Sequence, residues 1–145
     1  MKRIFVPTHN GTDWQRLLAK PKLHWKKGAS AMTAAAAWED AKNALPEEIS
    51  RLLTSASEPA LQDLKLLAAI PEWEVKLPGG ETTSNTDVMA ICRNEKGLCI
   101  VAVEAKVHED FGPLVGEKRS SASPNQLSRL RYLHEVLNVE MFDDA

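Results

Sequence analysis

The spacing of apolar positions changes near residue 73 and reverts to helical spacing after Pro124. Upstream, apolar residues recur at steps of three and four or sit in alanine-rich runs, the spacing of helices. Downstream they alternate or run together, as strands do. Ser30 precedes residues 31–41, an alanine-rich stretch that predicts a helix with Ser30 as N-cap. Alanine has high helix propensity, and its small side chain lets such a helix lie close against a sheet. Pro46 opens a second helical stretch, with Glu47 and Glu48 in the first turn where the macrodipole favours acids. Leu61, Leu64, Lys65 and Ala68 lie three or four apart between Pro59 and Pro71, which predicts a third helix over 58–69. Nearer the start, residues 3–6 read as a short strand ended by Pro7. Thr12 or Asp13 is placed to cap a short helix through Leu18, stopping before Pro21.

Beyond Trp73 the pattern predicts strands. Residues 73–77 alternate, 78–80 are turn material, and 79–85 make a polar connection. Residues 87–93 read as a second strand, 94–97 as a turn and 98–106 as a third strand. The third is apolar until Glu104, so it is expected at the centre of its sheet. Residues 109–123 read as a polar loop. Pro124 then opens a helix with Leu127, Leu130, Leu133 and Leu137 along one stripe. The expected fold class is α/β, a mixed β-sheet flanked by helices, in a single domain over 1–145.

The end of the third strand carries the candidate chemistry. An apolar strand should end in neutral residues, yet this one ends Glu104-Ala105-Lys106. Period two puts Glu104 and Lys106 on the same face. Asp87 begins the second strand at the same end of the hairpin. If Arg93 faces Leu98, Asp87 lies opposite Glu104, with Cβ atoms roughly 4.5–5.5 Å apart. Two carboxylates that close repel unless a cation sits between them. Mg²⁺ answers that need, because it binds through one or two carboxylates plus waters and phosphate oxygens. Lys106 would then act on a water or on charge developing at phosphate. A bulge at Gly97 gives a second register in which Asp87 faces Ala105, and a one-residue slip reverses the face. Both registers suit the turn sequence.

Composition narrows the picture only in places. With 18 Lys and Arg against 20 Asp and Glu, the net charge is −2, which gives no broad footprint for nucleic acid. Basic residues cluster locally at Lys20, Lys22, Lys26 and Lys27, and again at Lys118, Arg119, Arg129 and Arg131. No apolar run approaches the roughly 20 residues that span a bilayer, and the first residues do not form a signal peptide. A cytoplasmic protein without a membrane partner is expected. Cys92 and Cys99 lack zinc-site spacing and are expected to pack as small apolar residues. His9, His24, His108 and His134 share no metal-ligand spacing. Glu109 and Asp110 are expected in solvent, and the four tryptophans in or near the core.

Asp87 followed by 88–91, then 101–103 followed by Glu104-Ala105-Lys106, resembles the D-x(n)-E-x-K signature of the PD-(D/E)XK nuclease-like superfamily. The predicted order of helices, three strands and a helix from Pro124 is similar to that superfamily's αβββα core, the restriction-endonuclease-like fold, over roughly 30–138. The resemblance implies a nuclease in which Asp87 and Glu104 bind Mg²⁺ or Mn²⁺ and Lys106 assists water attack on a phosphodiester. It also implies Glu39 as a further metal ligand and Gln126 as a substrate contact, with Lys118 and Arg119 on the nucleic-acid backbone. DNA is the favoured partner, and a homodimer is compatible. Two departures stand out. Thr86 replaces the motif's proline. The sequence also stops after the last helix, where that core usually adds a strand, so either the sequence is a fragment or the sheet is completed otherwise, for instance by the N-terminal strand or a partner. The alternative is a non-catalytic member of the same fold that binds nucleic acid or protein.

Overall fold

The computed structural model describes residues 3–4, 8–18, 20–108, 110 and 112–138. Two compact units divide the chain, one from residues 1–73 and 85–109, the other from 74–84 and 110–145.

The first unit holds the core. A 3₁₀ turn, Gly11–Leu17, starts at Asn10, whose side chain accepts from the Thr12 N–H. Capping therefore begins upstream of Thr12 and Asp13. Helix α1 (Pro21–His24) is a single turn that the proline at Pro21 starts rather than prevents. Helix α2 (Ser30–Ala41) follows the alanine run, with Ala29 one residue ahead as cap. Helix α3 (Glu47–Ser55) starts after Pro46 as expected.

The predicted helix over 58–69 does not form. A 3₁₀ turn covers Pro59–Leu61, and strand β1 then runs from Lys65 through Val75. Lys65, Leu66 and Leu67 alternate exposed, buried, exposed, which is strand behaviour that the three-and-four spacing of the leucines concealed. Strand β2 (Ser84–Asn94) and strand β3 (Gly97–Val103) complete a three-stranded antiparallel sheet in the order β1-β2-β3. The N-terminal segment touches this sheet through one parallel bridge, Ile4 to Ala69, with the Ala69 N–H donating to the Arg3 carbonyl at 2.8 Å. Residues 5 and 6 of the predicted N-terminal strand lie outside the described residues.

β3 is at the sheet's edge and β2 is central, which corrects the expectation drawn from the apolar run. One face of the sheet forms the core. Val88, Ala90 and Cys92 are fully buried there with Leu66 and Ala69, and Ala35 and Trp38 of α2 belong to the same cluster. Ala35 is fully buried, and a Cβ on Gly11 of the first 3₁₀ turn would sit 3.9 Å from the Ala35 Cβ, so the alanine run lets that turn approach α2 closely. Ile49 and Leu53 of α3 and Cys99, Val101 and Val103 of β3 pack around the buried cluster. Trp14 and Trp38 are core residues and Trp25 packs at its margin, whereas Trp73 is 39% exposed and is not a core anchor.

The second unit contains α4 (Val115–Ser120), inside the stretch expected to be loop, and α5 (Pro124–Leu137). Ser123 caps α5, and the chain segment at 78–82 lies against that helix. The Arg129 guanidinium donates to the carbonyls of Pro78 and Thr82. Gly79 has φ +92°, and a Cβ on it would sit 2.0 Å from the Asn125 carbonyl oxygen, so only glycine fits. Among the described residues no helix is long and apolar enough to cross a membrane.

Candidate metal centre

The hairpin register decides the geometry. Val88 pairs with Val103, Ala90 with Val101, Cys92 with Cys99 and Arg93 with Leu98, and the two strands close at Asn94 and Gly97. There is no slip at Gly97. Paired residues share a face, so Cys99, Val101 and Val103 join Val88, Ala90 and Cys92 on the core side. Asp87, Met89, Ile91 and Arg93 look the other way, with Leu98 and Ile100 at 73% and 67% exposure. The last pair of the ladder is Val88 with Val103, and Asp87 and Glu104 both lie one step beyond it.

β3 ends at Val103, so Glu104, Ala105 and Lys106 leave the ladder. The Asp87 carboxylate holds this departing chain, its Oδ2 accepting the Ala105 N–H at 2.7 Å. The period-two expectation for the next two side chains is met. Lys106 Nζ lies 2.8 Å from Glu104 Oε1, with the side chains 36% and 54% exposed. Water therefore reaches the pair, and an ion pair so exposed contributes at most about 1 kcal/mol. Glu104 and Lys106 thus form a solvent-facing pair, and half-buried Asp87 is bonded to the N–H of Ala105 between them.

The other predicted site residues take separate positions. Glu39 Oε1 accepts from the Thr8 hydroxyl and from the indole N–H of buried Trp14, both at 2.7 Å. Among the described residues no three His, Cys, Asp or Glu side chains are grouped to hold a metal ion. The two strand acids and Glu39 therefore do not make a three-ligand set. Gln126 is engaged in capping α5, its Oε1 accepting the Ser123 N–H at 2.8 Å. Lys118 and Arg119 stand in the last turn of α4, and Lys20, Lys22, Lys26 and Lys27 are exposed on and beside α1. Gln126, Lys118 and Arg119 belong to the second unit and the acids to the first. Asp110 is exposed, and Glu109 lies outside the described residues.

A cluster absent from the sequence reading also lies on the first unit. Arg3, Lys65, Arg93 and Lys96 border a cleft of about 630 Å³. The signal for it was weak, because its cations come from three segments far apart in the chain.

The family assignment is consistent with all of this and specifies none of it. The sequence profile of the family described as "Domain of unknown function (DUF6946)" matches residues 7–145. The chain belongs to DUF6946. No curated protein and no solved structure matches it. For this DUF6946 chain, chemistry has to be argued from the cluster itself. Two carboxylates are a sufficient protein contribution for a hard divalent cation such as Mg²⁺, which keeps several waters.

Proposed function

We propose that the chain is a metal-dependent nuclease with a restriction-endonuclease-like core, hydrolysing nucleic-acid phosphodiester bonds at Asp87, Glu104 and Lys106. One observation carries this reading. The Asp87 carboxylate accepts the Ala105 N–H at 2.7 Å, between Glu104 and Lys106, and the Lys106 ammonium lies 2.8 Å from Glu104. The element order supports it, with helices before three strands and two helices, α4 and α5, after them.

Asp87 and Glu104 would hold Mg²⁺ or Mn²⁺. When bound, such an ion neutralises charge on the phosphate and lowers the pKa of a water. Asp87 also fixes the backbone at Ala105, and so sets where Lys106 emerges. Lys106 then either stabilises negative charge on the phosphate oxygens as an ammonium or, deprotonated, takes the proton of the attacking water. The water oxygen bonds to phosphorus, the bond from phosphorus to the leaving sugar oxygen breaks, and that oxygen is protonated from solvent. Glu39 enters this reading as the partner of Trp14 and Thr8 rather than as a third ligand. The exposed lysines on and beside α1 would meet backbone phosphates of DNA.

The test combines metal binding with cleavage. Mn²⁺ at a hundredfold excess over its Kd should stabilise the protein by about 2.7 kcal/mol. The effect should vanish in Asp87→Ala and in Glu104→Ala. Lys106→Ala should keep the Mn²⁺ response and lose about 10²–10³ in DNA cleavage rate. A wild-type protein whose stability ignores Mn²⁺ sinks the proposal. Mn²⁺ binding without cleavage of DNA or RNA would point to the second reading, a non-catalytic binding module. The exposed edge strand β3, with Leu98 and Ile100 outward, favours that alternative.

A further inference from the structure

At the far end of the same open face, about 20 Å along β2 from Asp87 by strand rise, four cations surround one cleft. Lys65 of β1, Arg93 of β2 and Lys96 of the hairpin turn face it, with Arg3 from the N-terminal segment beside β1. Only Asp63 and Glu95 oppose them in sign. Neither lies within 4.0 Å of any of the four cations in an ion pair among the described residues. Arg3 donates to the Leu66 carbonyl and is thereby tied to the cleft's edge.

The walls are fixed by the chain rather than left to solvent. The Asn94 side-chain amide donates to the carbonyls of Ala60 and Gln62 at 3.0 and 2.8 Å, and its oxygen accepts the Lys96 N–H at 2.9 Å. One side chain thus joins the 3₁₀ turn before β1 to the turn after β2. Pro59 and Leu67 supply apolar surface between the charges. A cleft of about 630 Å³ falls in the size range of sites that enclose a small organic ligand.

We infer that this cleft binds a phosphate-bearing ligand of nucleotide size, at a site separate from the Asp87–Glu104 pair. The surplus of two positive charges matches a phosphate dianion better than a single carboxylate. Arginine guanidinium groups offer forked donors that fit phosphate oxygens. Pro59 and Leu67 would cover the organic body. The phosphate can come from a free nucleotide or from one residue of a nucleic-acid strand, and the chemistry at the cleft is the same. The inference does not depend on the nuclease reading.

Titration of the full chain in EDTA keeps the two sites distinct. The probes are adenosine 5′-monophosphate, followed by calorimetry, and a fluorescein-labelled short single-stranded DNA, followed by anisotropy. At least one should bind saturably. The double variant R93E/K96E should weaken it about tenfold or more, and Lys96→Ala alone should weaken it less. Both positions are exposed, and unchanged circular dichroism would check the fold. Arg51→Ala, at an exposed position outside the cleft, should leave the affinity as it is. Displacement of the DNA by the mononucleotide assigns the site to a free nucleotide, and DNA binding without displacement assigns it to a strand. No saturable binding of either probe, or equal binding by wild type and R93E/K96E, overturns the inference.

Discussion

On β2, Val88, Ala90 and Cys92 are fully buried, while Asp87, Met89, Ile91 and Arg93 alternate with them on the opposite side. On β3 the same division separates half-buried Cys99, Val101 and Val103 from exposed Leu98 and Ile100. The core side belongs to a cluster that includes Ala35 and Trp38 of α2, and among the described residues no charged group is buried there. The open side begins at Asp87 and ends at four cations. Both sides are apolar in the middle, so a continuous apolar run in the sequence marks a strand without marking which side is covered. Burial is decided by what packs against the strand. For that reason β3 could look central in the sequence and still lie at the edge.

Reversing the chemistry of one residue on each side should break this comparison most sharply. Val88→Asp places a carboxylate without a partner where exposure is 0%. The expected cost is more than about 4 kcal/mol, much of the stability of a typical domain. Ile100→Asp, at 67% exposure, should cost about 1 kcal/mol or less, mostly through lost strand propensity. Urea denaturation of the two variants gives both numbers. Similar losses would mean that the open side is covered in solution.

The same contrast explains what could be read from the sequence. Helices α2, α3 and α5 were legible because Ser30, Pro46 and Pro124 mark their starts, and local signals decide helix ends. The hairpin was legible because its turn lies between two runs of strand character, although two registers remained open until pairing at Asn94 and Gly97 closed it. β1 was hidden. Its leucines and alanines favour helix, its spacing allows one, and Pro71 lies within it. Pairing with β2 and with Ile4 overrides that preference. The Glu104–Lys106 pair was legible from its two-residue spacing. The role of Glu39 was not, since Thr8 and Trp14 reach it only after the N-terminal segment folds back on α2. The basic cleft was equally hidden, because it is assembled by the turns and not by any one segment.

A second pair across the ladder sharpens the comparison on the core side itself. Cys92 and Cys99 lie directly opposite each other, both free, the first fully buried and the second partly exposed. Burial pushes the Cys92 thiol up from 9.0 to about 11, and the neighbouring Cys99 adds to the effect. Above pH 9 the unfolded chain releases this proton while the folded chain keeps it. Folding is then disfavoured as pH rises towards 11, by about 2 kcal/mol at the top of the range. Cys92→Ala should remove that part of the alkaline loss, measured as the difference between wild-type and variant stability from pH 8 to 11. A thiol reagent at pH 8 should label Cys99 in the native protein and reach Cys92 only on unfolding, since the thiolate is the reactive form. Equal labelling of both in the native state would show that the core side opens readily.

The smallest expected effect is the most discriminating for the open side. Glu104→Ala removes a carboxylate that is 54% exposed and paired with a lysine that is 36% exposed. Without metal, the change in stability should be within about 0.5 kcal/mol, because solvent screens such a pair. A loss above about 2 kcal/mol in metal-free buffer would make the Glu104–Lys106 pair a structural tie at the strand's end. The carboxylates would then need no cation to account for them. Near-neutrality, combined with loss of the Mn²⁺ response, would separate what Glu104 does for the ligand from what it does for the fold. Val88 admits no such separation, because its only role is packing.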